Sequence, residues 1–506
     1  MRLRAARGEN ACSAASATDG SVTAGGITRR AWLSAAALSA CSKPPARVSA
    51  QYSVAAVREA GRPETPPEVR VHGGWPAFAV SPGEEGGPVL SWTQRHNEPS
   101  RFRVTVALDD REVKLVDAVL ARSGRTLATL DLRSACALQP FEAVLDAGAT
   151  SAASSEGIRL RLREGTTPLW LHGGDPVPTG LRPHLMLTGQ DGPLTEFHRR
   201  LRSLDSVQPF GWMHGCVLDG LGDLQAGEAL NEHLSRYFLP GGRLSFEDLR
   251  SRAAEGRLAG IESTLPFAAL ARVEPRHPAL DIAIEFWKKT QDAEGCIMDG
   301  TTTSAEGSYT VAYPLAVAGR RRHEPALEQM ALRQLRIRRA RLVADGALFL
   351  RHHKDQPRTF RNWARGVAWY SLGLVRTLAE LHDRPGVDDL RAEAKRAAAW
   401  AMERQAADGL WHCFVDEPQV APDTGGSAGI AAALAIGARH GILDAAAREA
   451  AERTLRGLVP NLAPDGFLSG VAHSNRGGEE LQRSDYRVIL QFGMGLMGQL
   501  IAALDA

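Results

Sequence analysis

The 506-residue sequence has almost no net charge, +2 with histidine neutral, and that absence argues against two kinds of protein at once. There is no basic excess to neutralise phosphates, so no nucleic-acid partner is expected, and no acidic excess to act as a solvating tail. Beyond the first fifty residues no apolar run reaches the roughly 18 residues that spanning a bilayer requires, so the body of the chain reads as globular. Cysteine is scarce. The six, at 12, 41, 136, 216, 296 and 413, include no C-x-x-C pair with zinc-ligand spacing, so no metal site is expected.

The N-terminus carries an address. Thr28-Arg29-Arg30-Ala31-Trp32-Leu33 precedes a small-residue stretch from Ser34 to Ala40, a pattern similar to a twin-arginine export signal. The stretch ends in Leu38-Ser39-Ala40-Cys41, which resembles a bacterial lipobox whose cysteine is acylated. Residues 1–41 are therefore expected to direct export to the periplasm or to a lipid anchor on Cys41, the sole membrane contact the sequence suggests. Because such substrates fold before export, in a reducing compartment, the remaining thiols are expected to be buried and free.

Three textures follow. Residues 42–68 lack periodicity and read as a tether. From 69 to 190 short runs alternate, as in Phe102-Arg103-Val104-Thr105-Val106 and Ile158-Arg159-Leu160-Arg161-Leu162, and period two between turn residues means half-buried strands. Seven or more such runs suggest a β-sandwich-like domain, either a packing module or a carbohydrate-binding one. From about 205 to 506 apolar residues recur at three and four, the helical period, as in Ala279-Leu280-Asp281-Ile282-Ala283-Ile284. That region is punctuated by Glu294-Gly295, Asp345-Gly346, Asp408-Gly409 and Asp465-Gly466, whose glycines stand 51, 63 and 57 residues apart. Each pair follows a helical run, where glycine at positive φ reverses the chain. The spacing fits two helices and their loops, so a closed toroid of helical hairpins is expected, with an open solenoid as the alternative.

Within the toroid, Trp363-Ala364-Arg365-Gly366-Val367-Ala368-Trp369, then Asp408-Gly409-Leu410-Trp411-His412 and Asp423-Thr424-Gly425-Gly426-Ser427-Ala428, resemble motifs of the unsaturated glucuronyl and rhamnogalacturonyl hydrolases. Val367 stands where that family usually has asparagine. The resemblance implies a mainly α chain with an (α/α)6 catalytic barrel, no cofactor, and a uronic-acid-containing oligosaccharide as partner. It also implies two inward carboxylates. Glu262, in Gly260-Ile261-Glu262-Ser263, and Glu306, in Ala305-Glu306-Gly307-Ser308, stand near those two places, where the family usually carries aspartate.

Such a pair suits the chemistry, since one carboxyl must keep a proton to deliver while its partner stays ionised to activate water. For an unsaturated uronate the resemblance implies protonation on the C4 side of the double bond and water attack at C5. For a saturated glucuronide the same pair protonates the glycosidic oxygen. Glu262 also fits a plain acid at a helix N-terminus. Arg365 is expected to fork onto the uronate carboxylate, with a packing arginine as its alternative. Trp212, Trp363, Trp369 and Trp411 are candidate sugar platforms, about half of them expected in the core. The resemblance favours His352 and His353 over His412 as binding histidines, and Tyr486-Arg487 are candidates for the acid-binding end of the pocket. Two other functions fit the sequence: a polysaccharide lyase drawing on Asn362, Tyr309 or Tyr313, and a non-catalytic glycan-binding surface protein.

Overall fold

A computed structural model describes residues 50–59, 68–83, 86–189 and 191–505. The twin-arginine run and Cys41 lie outside the described residues. Cys136, Cys216, Cys296 and Cys413 are free and buried, as expected of them.

The N-terminal strands form two main antiparallel sheets. One runs Gln51–Val54, His184–Leu187, Ser100–Thr105, Pro140–Leu145 in spatial order, and the other Ala56–Arg58, Val89–Ser91, Ile158–Glu164, Val113–Leu120, Thr126–Arg133. Their alternation works as the sequence implies: Ile158 and Leu160 face the core while Arg159 and Arg161 turn outward. Residues 51–58, inside the stretch expected as a tether, instead supply a strand to each sheet. Runs of four and three residues are too short to show a period. The helix Ala147–Glu156 was not foreseen either; Asp146 caps it by accepting from Ala149 N at 2.7 Å.

The helices close into a ring. Trp212–Asp223, Pro266–Val273, Tyr313–Arg322, Ala364–Glu380, Thr424–Arg439 and Gln491–Leu504 each pack on the next, and the last returns to the first. Six partners, Pro193–Leu201, Gly227–Ser235, Ala279–Lys289, Pro325–Leu342, Asp388–Met402 and Ala445–Leu458, lie outside them. The ring therefore begins ahead of residue 205. Thr424–Arg439 shows why inner helices differ from outer ones: it is buried on every face up to Gly437, which its run of Gly, Ala and Ser permits. Gly295, Gly346, Gly409 and Gly466 all take φ between 73° and 87°, so the acidic-Gly turns reverse the chain as expected. Among the described residues no helix is long and apolar enough to cross a membrane.

The fourth of those turns also joins the strands to the ring. Asp465 is fully buried, accepts from Arg103 Nη1 and from the Tyr52 hydroxyl at 2.5 Å each, and is held down to about 2 against burial by the Arg103 guanidinium. Arg103 is equally buried and also grips Glu142 at 2.6 Å. Removing one partner strands a buried charge, so Arg103→Ala is expected to cost about 3–5 kcal/mol in a denaturant melt. An unchanged midpoint would show that this pair does not hold the two regions together.

Candidate functional site

Where the inner helices begin, their N-terminal ends and the loops before them enclose a cavity of about 660 Å³. Trp212 opens its helix; Glu262 sits in the short turn Ile261–Thr264 ahead of Pro266–Val273; Trp363 and Arg365 open Ala364–Glu380. All four line the cavity, together with Glu306 and Trp369. Helix N-termini present unpaired N–H groups and the positive end of the helix dipole, so this end of the ring favours an anionic ligand.

Glu306 is placed by three devices. The strand Thr302–Ser304 leads into it, a five-residue π-helical turn, Ser308–Ala312, follows, and Pro314 then starts a regular helix. Ser304 Oγ donates to Glu306 Oε2 at 3.4 Å. Glu306 is 6% exposed, and burial raises its carboxyl above the ordinary range, with Asp299 adding to the shift and Arg351, Arg365 and Ser304 opposing it. Glu262, half-buried, is pushed up to about 8, first by burial, then by the charges of Glu306 and Asp299, against the pull of Arg351 and Arg476. The charge of Glu306 thus disfavours ionisation of Glu262, and the two carboxyls that line the cavity titrate as interacting sites.

Glu262 also depends on a glycine. Gly211 has φ 122°, and a Cβ there would lie 2.8 Å from the Glu262 carbonyl oxygen. Gly211→Ala is therefore both strained and in collision with the backbone that carries Glu262. A displacement of about 1 Å at a reacting group costs on the order of 100-fold. A drop of that order in kcat is expected, and wild-type kcat would show that Glu262 is not held this way.

Arg365 is 1% exposed. Its guanidinium carbon lies 4.3 Å from the Trp363 ring centre, its Nε is 3.6 Å from Asp423 Oδ2, and Nη2 donates to Gln482 at 3.4 Å. Burial pulls its pKa down and Asp423 opposes this, yet a guanidinium stays cationic at neutral pH. Asp423 has a second task, capping Thr424–Arg439 through Gly425 N. Trp212 and Trp369 meet edge to face with centres 5.3 Å apart and supply apolar wall.

Several sequence candidates lie elsewhere. Trp411 is fully buried and its indole donates to Ala401 O at 2.8 Å, so it is core rather than a platform. His412 bonds the Val420 carbonyl at 2.6 Å and does not line the cavity. His352 and His353 do not line it either, whereas Arg351 beside them does: His352 alternates to the opposite face, and His353, on the face of Arg351, is engaged with Thr302 Oγ1 at 3.0 Å. Tyr486 donates to Asp131 O at 3.0 Å, and Arg487 spends its donors on the carbonyls of Ala421, Pro422, Ser484 and Tyr486. The residues considered for a lyase are occupied too: Tyr309 and Tyr313 donate to buried Asp219 at 2.5 and 3.1 Å, and Asn362 to Asp416 at 2.8 Å. The sequence reading missed Asp299, Arg351, Arg476 and Arg111, all on the cavity wall. No local sequence pattern marks any of the four as facing a cavity.

Residues 307–504 match the family model described as Glycosyl Hydrolase Family 88. The match begins one residue after Glu306, so the assignment of both carboxylates rests on the geometry above. A 24.9 kDa protein of the picA locus of Rhizobium radiobacter and a protein of Agrobacterium fabrum are each 33% identical over 133 residues, 24% of this chain. That stretch is 57% of the length of those two relatives. Among solved structures, a possible family 105 glycoside hydrolase from Salmonella enterica superposes with a TM-score of 0.52 at 20% identity over 58% of this chain and 83% of that one. A family 105 glycoside hydrolase of C. acetobutylicum gives 0.53 at 16%, over 62% and 97%. These two likenesses are to the helical toroid fold.

Proposed function

We propose that this chain, whose residues 307–504 carry the pattern of Glycosyl Hydrolase Family 88, is a glycoside hydrolase that removes a terminal uronic acid from an oligosaccharide. The observation that carries the reading is the meeting of two carboxyls of raised pKa, Glu262 and Glu306, with buried cationic Arg365 in one cavity walled by tryptophan. In this reading Arg365 takes the uronate carboxylate and the indole rings of Trp212 and Trp369 take the sugar's C–H face. Glu262 holds the proton, because it is the carboxyl driven up to about 8, and Glu306 is the ionised partner that activates water. On an unsaturated uronate the proton goes to the C4 side and water adds at C5. On a saturated uronide the proton goes to the glycosidic oxygen. The N-terminal strands serve as a sandwich-like support, and the Arg29-Arg30 run and Cys41 favour an exported enzyme, periplasmic or lipid-anchored.

The test is a parallel assay on an unsaturated uronyl disaccharide, on a chromogenic β-glucuronide and on intact uronic-acid polymer. Loss of the double-bond absorbance or release of the chromophore supports the reading. New double bonds on the polymer would make the protein a lyase, and inactivity on all three with retained binding would make it a glycan binder.

The pH dependence has a fixed sign. A general acid works below its pKa and a general base above, so kcat/KM should fall above about 8 as Glu262 loses its proton. It should fall again on the acid side, at a pH above the usual carboxylate range, as Glu306 gains one. A profile flat through 8 would contradict these roles.

A further inference from the structure

The cavity wall is not made by the ring alone. Arg111, on the turn between strands Ser100–Thr105 and Val113–Leu120, lines it, and its Nε donates to Asp109 Oδ2 at 2.6 Å. The other oxygen of Asp109 receives Arg476 Nη1, from the far end of the chain, and the Asp109 carboxylate is only 4% exposed. Two further acceptors fix the same guanidinium: Ser134 O of the strand region at 3.4 Å and Leu249 O at 3.0 Å. Asp109 N donates to Ser251 Oγ at 2.8 Å, which ties the turn to the loop that carries Leu249. Arg476 lines the cavity in which Glu262 lies.

We propose that the strand region is a working part of the active site, with Asp109 as the positioning residue that holds Arg476 against Glu262. This rests on Glu262 being the proton carrier of the proposed hydrolase. A cation beside a carboxyl favours its ionised form, so Arg476 keeps the Glu262 proton labile enough to transfer. Charged and titratable groups facing Glu262 are Glu306, Asp299, Arg351 and Arg476; those facing Arg476 are Asp109, Glu262, Cys136, Arg111 and His473. Asp109 is itself negative, and this gives the idea a discriminating sign. Acting only through its own charge, Asp109 would raise the Glu262 pKa, and its removal would lower it. Acting through Arg476, its removal frees the arginine and raises it.

The experiment follows the Glu262 side-chain carboxyl by carbon NMR in the full-length protein, its resonance assigned by disappearance in Glu262→Gln. Arg476→Gln should raise its titration midpoint by about half a pH unit or more. Asp109→Ala should move it in the same direction, and the double variant no further than Arg476→Gln alone. Arg70→Ala, which cuts the 2.5 Å Arg70–Glu247 pair between the strand region and the same loop segment, should leave the midpoint where it is. A downward or absent shift in Asp109→Ala, or additive shifts in the double variant, would overturn the proposal. Should Asp109→Ala fail to fold, Asp109→Asn is read by the same sign.

Turnover is scored separately. An inactive parent whose Glu262 titration still depends on Asp109 would overturn the hydrolase reading and keep the positioning. An active parent whose titration ignores Asp109 would do the reverse.

Discussion

Replacing Glu306 by Gln is expected to lower kcat by about 100- to 10,000-fold while leaving ligand affinity near wild type. That range is what a positioned acid or base contributes, and the amide keeps the size and the bond from Ser304 Oγ while losing the charge that activates water. Stability supplies the control. A buried carboxyl whose pKa is raised in the folded state stabilises the protein least at high pH, once it has ionised. A neutral amide removes that cost, so the variant should melt no lower than the parent at neutral pH. A dead variant that also melts early would indicate a structural role. An active one would remove Glu306 from the chemistry.

The second large effect is expected at Arg365. Arg365→Gln should reduce kcat/KM on a uronide by about 10- to 100-fold and change it little on the matching neutral glycoside, because a charge-assisted fork to a carboxylate is worth a few kcal/mol only when the carboxylate is there. The ratio between the two substrates is the useful readout. Loss of Arg365 also leaves buried Asp423 without its cation, and a general loosening of the site would depress both substrates alike. Arg365→Lys should not restore the ratio, since an ammonium lacks the planar fork and the stacking on Trp363. Equal losses on both substrates would mean that Arg365 packs rather than binds.

How much of this was legible in the sequence follows from the range of each interaction. The helical ring announced itself through local devices: a three-and-four apolar period, and acidic-Gly turns whose glycines do take positive φ. The strands between 69 and 190 were legible for the same reason, since alternation is local. Residues 51–58 were not, because two strands of four and three residues are specified by the sheets they join.

The site divides along the same line. Glu262, Glu306, Arg365, Trp363, Trp369 and Trp212 stand in recognisable segments, and the structure brings all six to one cavity. Trp411 and His412 stand in an equally recognisable segment but face the core and a backbone carbonyl, because a motif marks a turn without saying which side chain faces the ligand. His352 lies one strand position from the cavity-lining Arg351, and His353, two positions on and on the face of Arg351, is engaged by Thr302 instead. Arg476 and Asp109 lie 367 residues apart and belong to segments with no shared pattern; only folding of the strand region against the ring brings them together.

The most direct measurement is a crystal structure of Glu306→Gln with a uronyl disaccharide bound. The uronate carboxylate is expected on Arg365, the ring against Trp212 and Trp369, and the scissile position between Glu262 and residue 306. A uronate bound elsewhere, or in this cavity with its carboxylate turned away from Arg365 and its reacting carbons beyond the reach of Glu262, would contradict the proposed function.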